Sequence, residues 1–310
     1  MKKNQSIDLL HGPIFKSLSL LAIPIMATYF IQMAYNLVDM LWIGFLGSGA
    51  VASIGVSGNF MYLANGLVNM PKIGSQALVG QSLGANNQEQ TKNYIQAAFQ
   101  SSLFFALIYG IIIIVFQKYL IQLFNLSDPA IIQDAQNYLW ITCGFIVFSF
   151  VNQIFTGILT AAGHSKSTFI ATTTGLVLNL ILDPILIFVF NLKVIGAALA
   201  TILAQTIVTL VFLYNAKNLD LFRNIRILSK PELNHISEIL KIGFPSSVQS
   251  MLFTCISMYI ARLISSFGAI SVAVQKVGSQ IESISWMAAD GFSASINAFT
   301  SQNYGAKNYD

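Results

Sequence analysis

Charge is what this sequence most lacks. Charged side chains make up 9% of its 310 residues, where an average soluble domain carries about 25%. Sixteen basic and twelve acidic residues cannot coat a soluble particle of this size, which excludes a cytosolic enzyme. With 55% hydrophobic residues, a disordered chain is excluded too. Cysteine is nearly absent: Cys143 and Cys255 cannot build a disulfide framework or a zinc cluster by themselves. The three histidines, His11, His164 and His235, stand singly and outline no metal site. The net charge of +4 is spread over the ends of apolar runs, so nucleic acid is not an expected partner.

Long apolar runs are what the sequence has instead. A helix needs about 20 apolar residues to cross a hydrocarbon core of ~30 Å. Eight stretches qualify, near 17–43, 50–80, 94–116, 130–158, 168–190, 195–215, 239–264 and 270–300. The second and eighth also carry polar residues and are expected to tilt or project beyond the core. The first is too long for a signal-peptide core and no small-residue cleavage site follows it, so it reads as a span. Runs such as Ile111–Ile114 within an unbroken apolar stretch do not alternate as barrel strands do, and a helix satisfies its own backbone in lipid. The fold class expected is an all-α polytopic membrane protein.

Basic residues set the expected orientation. Lys2, Lys3, Lys16, Lys92, Lys166, Lys217, Arg223, Arg226, Lys230, Lys241 and Lys307 fall on one side; only Lys118 and Lys193 fall on the other. Lys72, Arg262 and Lys276 lie inside spans. The richer side is expected to be cytoplasmic and to hold the amino terminus, with the protein in the plasma membrane.

Shifting the sequence by 221 residues lays 17–89 on 238–310 without a gap. Pro24 meets Pro245, Gly47 meets Gly268, and Val51, Ala52 and Val56 meet Val272, Ala273 and Val277. Ala77, Gln81, Gly84, Ala85 and Asn87 meet Ala298, Gln302, Gly305, Ala306 and Asn308. Six spans separate the two starts, so the repeats run parallel, as in transporters whose halves are related by an axis along the membrane normal. Two complete repeats would need roughly 440 residues. The expected division is a six-helix lobe over 1–216, a linker over 217–238, and the first two helices of a second lobe over 239–310, eight of twelve helices in all.

Four acids lie inside spans: Asp39, Asp183, Glu282 and Asp290. Each is costly there and needs a reason. Tyr35 and Asp39 are four apart on one helix face, as are Asn179 and Asp183. Pro184 cannot donate to the carbonyl of Leu180, which frees an oxygen in the same turn. Carboxylates, amide, phenol and carbonyl make a hard-oxygen set suited to Na⁺ or a shared proton. Two carboxylates closing on each other away from water cannot both stay charged without such a cation. Glu282 and Asp290 are weaker candidates, eight residues apart on one helix, where Lys276 or Arg262 could neutralise them. Cys143 and Cys255 are expected as small core residues.

These residues, in this order, resemble the multidrug and toxic compound extrusion (MATE) family. The resemblance rests on Pro24 with Asp39, on Val79-Gly80-Gln81-Ser82-Leu83-Gly84-Ala85-Asn86, and on Gly157-Ile158-Leu159-Thr160-Ala161-Ala162-Gly163. Asn179-Leu180-Ile181-Leu182-Asp183-Pro184 and Gly196-Ala197-Ala198-Leu199-Ala200-Thr201 continue it. It implies two six-helix lobes around a V-shaped cleft, and drug export in exchange for H⁺ or Na⁺, with no other cofactor. The DinF-like branch implies a first-lobe cation site of Tyr35, Asp39, Asn179, Asp183 and Thr201. The NorM branch has a glutamate eight residues after the proline of its seventh helix; Phe253 stands there in this sequence. Expected partners are lipophilic or cationic small molecules and the bilayer, with the protein working as a monomer. The alternative is a flippase for lipid-linked oligosaccharides, which would need a cationic cavity for a pyrophosphate; here four acids face three bases. An intramembrane enzyme would need a nucleophile–base pair or metal motif, and no histidine lies in a span.

Overall fold

The computed structural model describes residues 7–124, 126, 128–223, 225–227, 229–265 and 269–309, and every regular element among them is helical. The helices are α1 (Ile14–Gly44), α2 (Ser48–Gly84), α3 (Gln88–Gln122), α4 (Pro129–Gly144), α5 (Ile146–Ala161), α6 (Ser165–Pro184), α7 (Lys193–Lys217), α8 (Leu233–Ser265) and α9 (Ala269–Gly305). Six are long and apolar enough to cross a membrane, and the pair α4–α5 makes a seventh. The protein is an all-α polytopic membrane protein. The expected eighth span is a helix, α9, but is not among the sufficiently apolar ones, because serine, glutamine and two acids dilute it.

Local chemistry explains the helix ends. Asp128 accepts from the amide of Ala130 at 2.8 Å and Pro129 occupies the first helical position of α4, where its missing N–H costs nothing. Asn87 caps α3 through the amide of Gln90 at 3.1 Å. The span expected over 130–158 proves bent by 49° between α4 and α5. No proline marks that bend. Phe145 sits at the break, where Cys143 packs its carbonyl close against Gly110 of α3. Of the two cysteines, Cys143 is buried as expected, but Cys255 is exposed and is no core residue. The linker read over 217–238 runs into α8, which begins at Leu233. Two glutamines of α3 hold it: Gln96 donates to Ser229 Oγ at 2.8 Å, and Gln100 to the carbonyls of Ile227 and Ser229, each at 2.9 Å.

The first-lobe core joins α2, α3, α5, α6 and α7 through Val79, Ile95, Ile158, Ala171 and Val208. Phe155 stacks on Phe212 with centroids 5.3 Å apart and meets Phe99 edge-on at 4.9 Å. Large apolar side chains such as Phe45, Ile111 and Val189 instead face outward, as lipid contact requires.

The repeat at an offset of 221 is a pseudo-two-fold relation in space. Ala85, Asn86 and Asn87 close α2 on the carbonyls of Gln81, Leu83 and Ser82; Ala306, Lys307 and Asn308 close α9 on those of Gln302, Tyr304 and Asn303. Asn86 and Lys307 both take left-handed backbone, at φ 56° and 58°, so the shared motif is one helix-ending turn used twice. Gly268, the counterpart of Gly47, lies outside the described residues.

Contacts between the halves obey the same relation. α2 runs beside α8 and α9, and α1 beside α9. Gly84 seats on the carbonyl of Gln302, and Gly305 seats reciprocally on that of Gln81. Asn69 donates to Ser250 at 3.3 Å, while their counterparts Asp290 and Tyr29 are also neighbours. Residues 7–13 cross this seam at the lysine-rich end: Ile7 donates to the carbonyl of Gly163 at 3.2 Å, and Asn303 to that of Leu9 at 2.9 Å.

A Cβ at position 84 or 305 would strike backbone, not a movable side chain, and overpacking of this kind costs about 1–3 kcal/mol. Gly84→Ala and Gly305→Ala should therefore each lower the melting temperature in detergent by several degrees. Gly58→Ala, which meets nothing within 4 Å, should leave it unchanged or raise it, since alanine favours helix over glycine by roughly 1 kcal/mol.

Candidate functional site

The five first-lobe residues singled out from the sequence come from three helices. Tyr35 and Asp39 lie on α1, Asn179 and Asp183 on the last turns of α6, and Thr201 on α7. α6 packs against both α1 and α7, which brings all five together. The Asp39 and Asp183 carboxyls face each other closely enough to interact, with the Asn179 amide beside Asp183. Tyr35 adjoins both acids and the Thr201 hydroxyl.

Burial makes this arrangement costly. Asp183 is 0% exposed and Asn179 4%. Neither oxygen of Asp183 has a hydrogen-bond donor in good geometry, and the Asn179 amide nitrogen has no acceptor. An unpaired buried polar group costs about 1–3 kcal/mol, more when charged. Thr201 is committed elsewhere, donating to the Ala197 carbonyl at 3.0 Å. The protein's own donors thus leave Asp183 unsatisfied, and a proton or a hard cation such as Na⁺ matches the oxygens on offer.

The α6 backbone supplies the setting. Directly after Pro184 the chain widens into a π turn, Ile185–Val189, a feature frequent at functional sites. Phe190 donates to the Ile185 carbonyl at 2.9 Å to close it. Trp42 of α1 lies edge-on to Phe188 of that turn, with centroids 6.1 Å apart. One residue escaped sequence reasoning. Tyr138 of α4 reaches the same centre and adjoins Asp39, Asp183 and Thr201. It stands four residues after Asp134, so a one-turn pairing of acid and phenol was the local signal that could have found it.

The acids of the second half do not join this centre. Glu282 is exposed and accepts from Trp286 Nε1 of its own helix at 3.0 Å. Asp290 has Lys72 of α2 beside it, in place of the Lys276 or Arg262 expected; the Lys276 side chain lies outside the described residues.

The model of the MatE family matches residues 24–185 and 245–310, two segments that begin at the repeat-related prolines. This chain belongs to the MatE family. Among curated relatives of this MatE protein, a probable multidrug resistance protein NorM from Thermotoga maritima is 26% identical over 301 residues, covering 94% of this chain and 64% of the relative. The multidrug export protein MepA of Staphylococcus aureus is 27% identical over 279 residues, covering 88% of this chain and 61% of the relative. The chain thus spans a little under two thirds of the length of the relatives it matches. A crystal structure of a MATE protein in complex with MaD3S superposes with a TM-score of 0.90 at 25% identity, over 98% of this chain and 69% of that one. A MOP superfamily transporter from Pyrococcus furiosus shares the fold, with a TM-score of 0.89 at 23% identity, over 99% and 69%.

Unsatisfied acids weaken a fold that does not carry their cation. Asp183→Asn in this MatE protein should melt no lower than the parent in Na⁺-free buffer at neutral pH, and up to a few degrees higher, by circular dichroism in detergent. A fall of several degrees would show that Asp183 serves packing alone.

Proposed function

We propose that this protein is a secondary active efflux antiporter, expelling lipophilic or cationic compounds in exchange for H⁺ or Na⁺ entering down its gradient. The observation that carries this reading is the pair Asp39–Asp183: two acids on separate helices, facing each other, with Asp183 wholly buried and without a donor. The family membership and the export functions named for NorM and MepA support it.

The coupling is a matter of charge. With the pair empty, two carboxylates repel in a low dielectric and α1 and α6 are pressed apart. A proton or Na⁺ held between them removes that repulsion and draws the helices together. α1 is able to respond, because Pro24 cannot donate to the Leu20 carbonyl and so interrupts its hydrogen-bond ladder, while Thr28 adds a side-chain bond to the Pro24 carbonyl at 2.9 Å. The π turn after Asp183 gives α6 a matching point of adjustment. If the helix arrangement favoured by the cation binds drug less tightly, bound drug must disfavour the cation by the same factor. Alternating access then needs only that the seam between the halves opens at one end as it closes at the other. Tyr35, Asn179, Thr201 and Tyr138 hold and orient the pair, and no further cofactor is called for. In this reading the lysine-rich end faces the cytoplasm of a plasma-membrane protein that acts as a monomer.

Dye efflux by the complete gene product in vesicles tests this. An imposed pH gradient and then an imposed Na⁺ gradient should identify one driving ion. Asp39→Asn should abolish gradient-driven efflux, by at least a hundredfold in initial rate, at unchanged expression. Full efflux by that variant would reject the assignment.

A further inference from the structure

The lysine-rich end of the seam is closed twice over. Helix meets helix there first: Gln76 of α2 donates to the Ala294 carbonyl of α9 at 2.8 Å, and Gly80 abuts Ser301. Gln302 of α9 also donates to the Ala161 carbonyl of α5 at 2.6 Å. Beside these contacts lies the segment ahead of α1, residues 7–13. Ile7 donates to the carbonyl of Gly163, in the turn between α5 and α6, at 3.2 Å. Two residues on, the carbonyl of Leu9 accepts from Asn303 Nδ2 of α9 at 2.9 Å. The segment is a strap that grips the first half and the second within three residues.

The strap is shaped for its seat. Asp8 Oδ1 accepts from the amides of Leu10 and His11 at 2.9 and 3.1 Å, so an aspartate turns the chain where regular structure is absent. Leu9, between the two grips, is 2% exposed and packs with Leu21 and Ile25 of α1 and with Ala298 of α9. Gly163 takes left-handed backbone, at φ 75°. A Cβ there would come within 2.7 Å of the Ile7 carbonyl. Glycine is therefore required at that turn twice, by its conformation and by the approach of the strap.

The repeat shows what is particular about this strap. Under the 221-residue shift, residues 7–13 correspond to 228–234, the end of the linker. There Gln96 and Gln100 of α3 hold Ser229, so that segment, too, lies against the half to which its following helix does not belong. For the linker such a crossing is unavoidable, because it leaves the first half to reach α8. Connectivity demands nothing of the kind from residues 7–13, which lead into α1. Their hold on α9 rests on non-covalent contacts, chiefly one leucine and one amide, and hydrogen bonds of this sort are individually modest. It is separable from the fold of either half.

We propose that residues 7–13 are a latch: a strap of the first half that fastens the second half at the lysine-rich end and must let go before the seam opens there. Release breaks the Asn303–Leu9 bond and withdraws Leu9 from its cluster, and it leaves the hydrogen-bond ladders of α1 and α9 intact. The latch thereby weights the molecule towards the arrangement closed at this end. This inference rests on the reading of alternating access and adds the part that holds one end shut.

Thiol labelling of the complete gene product in detergent tests this, in a background where every native cysteine is replaced by serine. Two buried positions report on the seam. Ser301→Cys lies against Gly80 near the latch; Ser247→Cys lies farther along, where the serine donates to the Gly66 carbonyl across the seam. Leu9→Asn should raise the initial rate of maleimide labelling at position 301 about tenfold and leave position 247 unchanged. Asn303→Asp keeps the side-chain volume but loses the donor to Leu9, and should act in the same direction; if Leu9→Asn does not fold, it decides. No increase at position 301 in either variant would show that the strap serves packing alone. Equal increases at 301 and 247 would show general loosening, and either result overturns the latch. Labelling needs no transport, so a parent that exports no dye under any gradient would sink the efflux reading and leave the latch to be judged on these rates.

Discussion

A carboxyl group stripped of water and given no donor must find a cation, and much of this structure is arranged around that constraint. Asp183 is sealed from solvent with both oxygens unsatisfied, facing Asp39 across the α1–α6 contact. Three features meet there: a proline in α1, a proline and π turn ending α6, and phenols from α1 and α4. The prolines matter because a helix with an intact ladder transmits little to its far end, whereas an interrupted one bends at a defined place. A small change in charge at the pair thus has somewhere to go.

The relation between the halves supplies the other part of the machine. Close approach of α2 to α8 and α9 depends on glycines seated against opposing backbone, Gly74 on Ile239, Gly84 on Gln302 and Gly305 on Gln81. Between helices in lipid there is little hydrophobic drive, so association rests on close packing and on polar bridges. Bridges of both kinds cross this seam: Ser247 donates to the Gly66 carbonyl at 2.7 Å and Gln302 to that of Ala161 at 2.6 Å. Such contacts are individually modest and can be exchanged for others, as the alternating access proposed above would need.

Legibility in the sequence varied with the range of the interaction. Helix spans were readable because about twenty apolar residues in a row admit one solution in a bilayer, and the caps at Asn87 and Asp128 follow local rules. The polar dilution of α9 was visible and read as a span that tilts or projects beyond the core; the helix falls short of the apolarity of the other spans. The 49° bend at Phe145 was not read from the sequence, although Gly144 ends α4 there; α3 packs on the junction where Gly110 meets the Cys143 carbonyl. Within the site, Tyr35 with Asp39 and Asn179 with Asp183 were detectable because each pair sits one turn apart on its own helix. Tyr138 was passed over although Asp134 stands one turn before it, because the acids it adjoins lie on α1 and α6, remote in sequence.

By itself, the sequence determined that the chain is helical, membrane-spanning, internally repeated, and burdened with acids no lipid would accept. Those properties follow from hydropathy, from spacing along one helix, and from self-similarity, all of which are local or additive. Only the tertiary structure decided which acid meets which partner. Asp290 has Lys72 beside it, more than two hundred residues earlier in the sequence. Electrostatic pairing depends on distance in space, and in a bundle of long helices that distance is set by crossing points between elements remote in sequence.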